Sequence, residues 1–197
     1  MISIIFQKIV CSLCSCIGDS VKYDLYEYAI YILLSSILHF ISVIAFGLIF
    51  NLILESIVFY SSFILIRKFA GGYHAKKPTS CYLFSIIATF IILALVKSLL
   101  CNVEYFKFHS LISLVAFVCM MFIWILSPID TENKPLNVTE KKIYKKIAII
   151  ISLIVFISVI IFLFLGIYNI ALPLLCGLFM SSLVLVMRKI QIIKTDI

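Results

Sequence analysis

Long apolar runs separated by short polar segments dominate this chain, and they fix its solvent before anything else is considered. Runs at 28–50, 81–100, 108–126, 147–165 and 170–187 each approach the roughly 20 residues that a helix needs to cross about 30 Å of hydrocarbon. A sixth run, 52–66, is shorter and carries Glu55; Asn51 alone separates it from the first, so a very tight turn is expected there. In hydrocarbon every backbone N–H and C=O must be satisfied internally, which selects helices. The expected fold is therefore all-α, a polytopic membrane protein of about six transmembrane helices. With 64% hydrophobic residues, 13% charged and a mean hydropathy of +1.26, a water-soluble globule is excluded. Six spans use up 197 residues, so a single membrane-embedded domain over 1–197 is expected, with no separate soluble domain.

Residues 1–24 differ from the runs. Ile2, Ile5, Phe6, Ile9, Leu13 and Ile17 recur at helical spacing, with Gln7, Lys8, Ser12, Ser15 and Asp19 largely between them, which predicts an amphipathic helix lying in the membrane interface. The segment lacks the short apolar core followed by small residues of a removable signal peptide. The net charge of +7 is accounted for by topology. With six spans, all basic residues except Lys97 and Lys107 fall on one side, which predicts that both termini and the polar loops 67–80 and 127–146 are cytoplasmic. Contact with anionic lipid then suffices, and no nucleic-acid partner is required.

Seven cysteines, at 11, 14, 16, 81, 101, 119 and 176, are odd in number and scattered, unlike a disulfide framework. Cys11, Cys14 and Cys16 have no second pair and no histidine beside them, so a metal site is not expected, and Cys101, Cys119 and Cys176 read as small packing residues. His39 and His109 lie within spans without a nearby sequence partner and read as packing or hydrogen-bonded residues; Glu55 reads as a structurally paired or membrane-edge residue. His74 has company. Cys81 follows it by seven residues and begins the third span directly after Pro78-Thr79-Ser80. The first turn of a helix carries unpaired N–H groups and a positive dipole end that favour thiolate, and Arg67, Lys76 and Lys77 act in the same direction. On one straight helix the pair would be about 10 Å apart, too far for proton transfer. Pro78 disfavours helix at Lys77, and Gly71-Gly72 allow backbone angles closed to other residues, so a bent loop can bring imidazole to sulfur as base and nucleophile. There is no His-Glu-x-x-His, no Gly-x-Ser-x-Gly and no phosphate-binding loop, and no cofactor is expected.

The segment Arg67-Lys68-Phe69-Ala70-Gly71-Gly72-Tyr73-His74-Ala75 followed by Cys81, together with Ser127-Pro128-Ile129-Asp130-Thr131-Glu132-Asn133-Lys134-Pro135-Leu136, resembles the accessory gene regulator protein B (AgrB) family. The likeness extends over nearly the whole chain. It implies a membrane cysteine endopeptidase of Gram-positive quorum sensing that acts on a short AgrD-like precursor peptide, with Cys81 as nucleophile and His74 as its base. It further implies removal of an acidic C-terminal tail through a thioester and closure of a thiolactone or lactone ring, and members that pair as homodimers. Arg67 then reads either as a ligand for a tail carboxylate or as a charged anchor beside Lys68. Asp130 reads either as a hydrogen-bond acceptor for the His74 imidazole or as a residue that orders its own loop. Gly71 and Gly72 belong to the same motif as substrate-binding or orienting positions. A small transporter or a membrane scaffold without chemistry is the competing reading; few polar groups near mid-membrane (His39, Glu55, Lys97) speak against a transporter.

Overall fold

The computed structural model describes residues 23–71, 78–101, 109–129 and 137–195. Among the described residues there are six helices and no strand: α1 (Tyr23–Phe50), α2 (Ile53–Ala70), α3 (Pro78–Cys101), α4 (His109–Leu126), α5 (Val138–Phe164) and α6 (Tyr168–Thr195). Met1–Ser42 and Val43–Ile197 are two compact units. The described part of the first is the opening stretch of α1, where the Ser42 hydroxyl donates to the Leu38 carbonyl at 2.9 Å. The second holds the end of α1 and the other five helices. The amphipathic segment expected over 1–24 lies almost wholly outside the described residues, as do Cys11, Cys14 and Cys16.

Among the described residues five helices, all but α2, are long and apolar enough to cross a membrane by length and composition. Their outward faces are apolar: α4 alone exposes Leu111, Leu114, Phe117, Phe122 and Ile125. Water would penalise such a surface, whereas hydrocarbon is its natural solvent. The chain is an all-helical polytopic membrane protein.

The short second run is a full helix, α2, which carries Glu55, Arg67 and Lys68 near its ends. Its buried residues Ser56, Phe59, Ser62, Phe63, Ile66 and Ala70 fall on one stripe at helical spacing. That stripe packs more extensively against α6 than any other helix pair packs, and also meets α5. Small residues permit the approach, as expected where helices associate within lipid. Gly177 of α6 lies against the Ser62 side chain and the Phe63 backbone, and Gly47 of α1 lies against Ser56. The hydroxyls are satisfied locally, Ser56 by the Ile53 carbonyl at 2.8 Å and Ser62 by that of Phe59 at 2.9 Å. Gly177→Ala is therefore expected to destabilise the protein by about 1–3 kcal/mol, because its methyl must displace both a side chain and backbone. Thermal unfolding in detergent checks this, and adding Ser62→Ala should recover part of the loss.

Tight turns follow α1 and α5. After α1, Asn51 has φ 55°, with Leu52 N–H bonded to the Gly47 carbonyl (2.7 Å) and Asn51 N–H to that of Leu48 (3.1 Å). After α5, Gly166 has φ 72°, with Ile167 N–H on the Phe162 carbonyl (2.9 Å) and Gly166 N–H on that of Leu163 (3.1 Å). Both are Schellman caps, in which a left-handed residue lets the chain reverse while satisfying the last carbonyls. His109, at the start of α4, bonds the Tyr168 hydroxyl at the start of α6 (2.9 Å) and meets the Phe164 ring at the end of α5. It is the hydrogen-bonded histidine that its position in a span suggested. Trp124 Nε1 donates to Ser152 Oγ at 2.9 Å, tying α4 to α5.

The polar loops are shorter than hydropathy indicated. In 67–80, Arg67–Ala70 finish α2 and Pro78–Ser80 begin α3; in 127–146, helix α5 starts at Val138. Hydropathy reports solvent rather than conformation, and a helix can leave the membrane without unwinding. The start of α5 has its own local cause: the Glu140 carboxylate accepts the Asn137 backbone N–H at 2.9 Å, one half of a capping box.

Candidate functional site

The site grows from the last turn of α2. Arg67 and Lys68 sit there, where cations complement the negative end of the helix dipole. The half-buried Arg67 guanidinium lies 5.6 Å from the Phe63 ring centroid, and the exposed Lys68 lies over Phe69, 5.5 Å from its centroid. The Arg67 carbonyl accepts the Gly71 N–H at 3.1 Å and ends the helix. Gly71 has φ 81° and ψ −158°, a region essentially reserved for glycine.

The same residue is where the two polar motifs meet. The Ile129 N–H donates to the Ala70 carbonyl at 3.1 Å, and a Cβ placed on Gly71 would stand 2.5 Å from the Ile129 carbonyl oxygen. Only a bare backbone lets the 127–129 segment lie this close. Ser127 continues from α4 through its N–H to the Ile123 carbonyl (3.0 Å), and Ile129 is buried with Ile66, Ala70, Ile123, Ala148 and Leu185. The crossing is thus seated on a core shared by α2, α4, α5 and α6. Tyr144 of α5 meets Phe69 edge-on at 5.9 Å beside it.

Cys81 is the fourth residue of α3. The six residues between Gly71 and Pro78 keep the start of α3 within about 25 Å of the crossing, since each residue spans at most about 3.6 Å. The direction of α3 agrees with this. Its second half lies beside the α1–α2 turn, with Phe90 5.3 Å from the Phe50 ring and Lys97 5.8 Å from it, and Cys81 lies about 14 Å back along the helix from Phe90. His74, Gly72 and Asp130 lie outside the described residues. Of the six residues that the sequence singled out, the structure brings Gly71 and the flank of Asp130 together at the crossing, places Arg67 one turn before it, and puts Cys81 in the opening turn of the next helix. Among the described residues no group of His, Cys, Asp and Glu could hold a metal ion.

Hydropathy and spacing missed Ile129 and Arg188. Ile129 is an apolar residue in a polar segment, a signal that could have marked it as an anchor. Arg188 counted as one of the terminal basic residues, yet it is buried at 9% exposure beside the exposed Lys189.

Architecture and site together define a helical polytopic membrane protein whose first and second long polar segments cross at one end of the bundle. The family model for Accessory gene regulator B matches residues 3–191, and the chain belongs to that family. It is 34% identical over 125 residues to a putative AgrB-like protein of Clostridium perfringens (strain SM101 / Type A), covering 63% of this chain and 58% of that one. Accessory gene regulator protein B of Staphylococcus aureus (strain Newman) is 36% identical over 110 residues, 55% of this chain and 54% of the relative. Protein FsrB of Enterococcus faecalis (strain ATCC 47077 / OG1RF) is 25% identical over 124 residues, 63% and 50%. The aligned region spans a little over half the length of the first two relatives and half that of the third. No solved structure matches.

Proposed function

We propose that this protein is a membrane cysteine endopeptidase that removes the C-terminal tail of an AgrD-like quorum-sensing precursor and passes the remaining acyl group into a ring. The observation that carries the reading is the crossing itself: the Ile129–Ala70 hydrogen bond and the bare Gly71 hold the two family motifs together at one end of the bundle, and six residues join Gly71 to α3, whose fourth residue is Cys81. A transporter would need its polar groups near mid-membrane, whereas here they gather at a helix end.

In this reading the Cys81 thiolate attacks the peptide carbonyl at the end of the future signal. His74, having taken the thiol proton, delivers it to the leaving amine, and the tail departs. A thioester to Cys81 remains. An internal thiol of the precursor then displaces Cys81; one thioester replaces another, so little free energy is lost, and a thiolactone results. A hydroxyl in that position would give a lactone. Placement in the first turn of α3 supports an activated thiol, because the leading amides of a helix have no intrahelical acceptors and present a positive end. The basic residues of the 67–80 and 127–146 segments support a cytoplasmic location for this end and for both termini.

The same helix supplies an internal standard for the test. Cys101, exposed at the far end of α3, is followed in sequence by a segment with one basic residue, Lys107, and one acidic residue, Glu104, whereas Cys119 and Cys176 are buried. A membrane-permeant alkylating reagent near pH 7 is expected to modify Cys81 about tenfold faster than Cys101, and His74→Ala to remove most of that advantage. Equal rates at the two cysteines would contradict an activated nucleophile.

A further inference from the structure

Arg188 stands in the last part of α6, about 30 Å along the helix from Tyr168, at the end of the bundle where the two motifs cross. Its neighbours on the helix explain which way it faces. Leu185, three residues before, is buried in the cluster that holds Ile66, Ala70 and Ile129, and Ile192, four residues after, packs on the same cluster. Lys189, Ile190 and Ile193 are exposed on the other side. A basic residue serving as a membrane anchor would extend to the headgroups, as Lys189 is placed to do.

The guanidinium is incompletely met. Nη1 donates to Gln191 Oε1 at 2.8 Å, while Nε is buried and has no hydrogen-bond partner among the described residues. No carboxylate whose side chain is described answers its charge: Glu140 caps α5 through Asn137, and Glu55 lies in the first turn of α2, at its opposite end. A second orphan sits at the same end. Ser127 Oγ, in the segment pinned to Ala70, is also buried without a partner, and its residue lies between Ile123 and Ile129 of the same cluster. A buried cation lacking a counter-charge is costly, and in a membrane protein such a residue points to a functional role.

We propose that Arg188 is a carboxylate-binding residue of the peptide site, receiving an acidic group of the precursor against the face of α6 that meets the motif crossing. A planar guanidinium presents two parallel N–H groups to a carboxylate, and the unpaired Nε–H is one of such a pair. A lipid phosphate is the poorer occupant, because the lipid-facing side of this turn is Lys189 and Ile193. The inference rests on the peptide-processing reading for the origin of the carboxylate.

The test is a binding measurement that needs no cleavage. Full-length protein carrying Cys81→Ala, in phosphatidylcholine nanodiscs, is titrated with the AgrD-like precursor encoded beside it and with a version whose Asp and Glu residues are replaced by Asn and Gln. The amide version is expected to bind at least tenfold more weakly. Arg188→Gln should weaken the acidic peptide by a similar factor while leaving the amide peptide within about twofold, and Arg188→Lys should fall between. Equal binding of the two peptides by the Arg188-containing protein overturns the proposal without touching the peptidase reading, and so does an Arg188→Gln loss that is the same for both peptides. An Arg188→Gln effect that appears only when phosphatidylglycerol is added assigns a lipid phosphate instead and overturns it too. Failure of the acidic peptide to bind at all would contradict both readings.

Discussion

Cys81→Ser is expected to lower precursor cleavage by at least about a thousandfold while leaving the melting temperature of the protein unchanged. The substitution exchanges sulfur for oxygen at nearly constant shape, in the first turn of α3, where serine is readily accommodated. Its chemical effect is large. A thiol ionises near pH 8.5 and is brought lower by positive surroundings, whereas an alcohol requires a base of far greater strength than an imidazole at neutral pH, unless an optimised triad is present. Loss of a nucleophile costs several orders of magnitude in turnover, so residual cleavage above about one part in a thousand would point to another nucleophile. The readout is the fraction of precursor that has lost its tail, followed by mass spectrometry in reconstituted vesicles. A transporter or scaffold would show no cleavage to lose.

Gly71→Ala carries the second large effect, and it separates two physical terms. At φ 81° and ψ −158° any side chain is strained, at a cost of about 1–3 kcal/mol. The added methyl would also meet the Ile129 carbonyl oxygen at 2.5 Å, and that oxygen belongs to backbone held by the Ala70 hydrogen bond. Gly166→Ala is the natural comparison, for its φ is 72° but nothing lies within 4 Å of the new methyl. Gly166→Ala is therefore expected to cost about 1 kcal/mol, and Gly71→Ala about 2–4 kcal/mol. Only Gly71→Ala should remove hydrogen-exchange protection from the Ile129 amide, and with it most of the cleavage activity. Equal effects of the two substitutions would mean that the crossing is not a close backbone contact.

The sequence made the spans legible because their cause is local: each apolar run is long enough to satisfy its own backbone in hydrocarbon. The turn at Asn51 was legible for the same reason, whereas the start of α3 was read at Cys81, three residues after the helix begins at Pro78. Asn137 and Glu140 also wrote the start of α5 into the chain as an N-x-x-E signature, but a hydropathy reading passes over it because the residues that follow are charged. Partners far apart in sequence were not legible. Nothing near Gly71 announces Ile129, nothing near His109 announces Tyr168, and the inward turn of Arg188 emerges only once Leu185 and Ile192 are seen to pack on the crossing. The contrast between Arg188 and Lys189 has the same origin: adjacent cations count alike toward topology, but a helix rotates successive residues by about 100° and sends them to different environments.

Small residues explain why α2 holds its place despite its charges. Its charged positions are at its ends, while its middle offers Ser62 to Gly177 and buries Phe59 and Phe63 beside Ile92, Val96 and Met180. Charge at the ends excludes it from a count of apolar spans without removing it from the bundle.

The central claim is that the precursor becomes covalently attached through Cys81. The direct measurement is the intact mass of the reconstituted protein, quenched in acid shortly after mixing with the AgrD-like precursor, in the unmodified sequence and in Cys81→Ser. The account predicts an added mass equal to the precursor without its tail, located at Cys81, removed by hydroxylamine as a thioester is, and absent from Cys81→Ser. An intact precursor with unmodified protein, or tail removal that proceeds equally in Cys81→Ser, would contradict it.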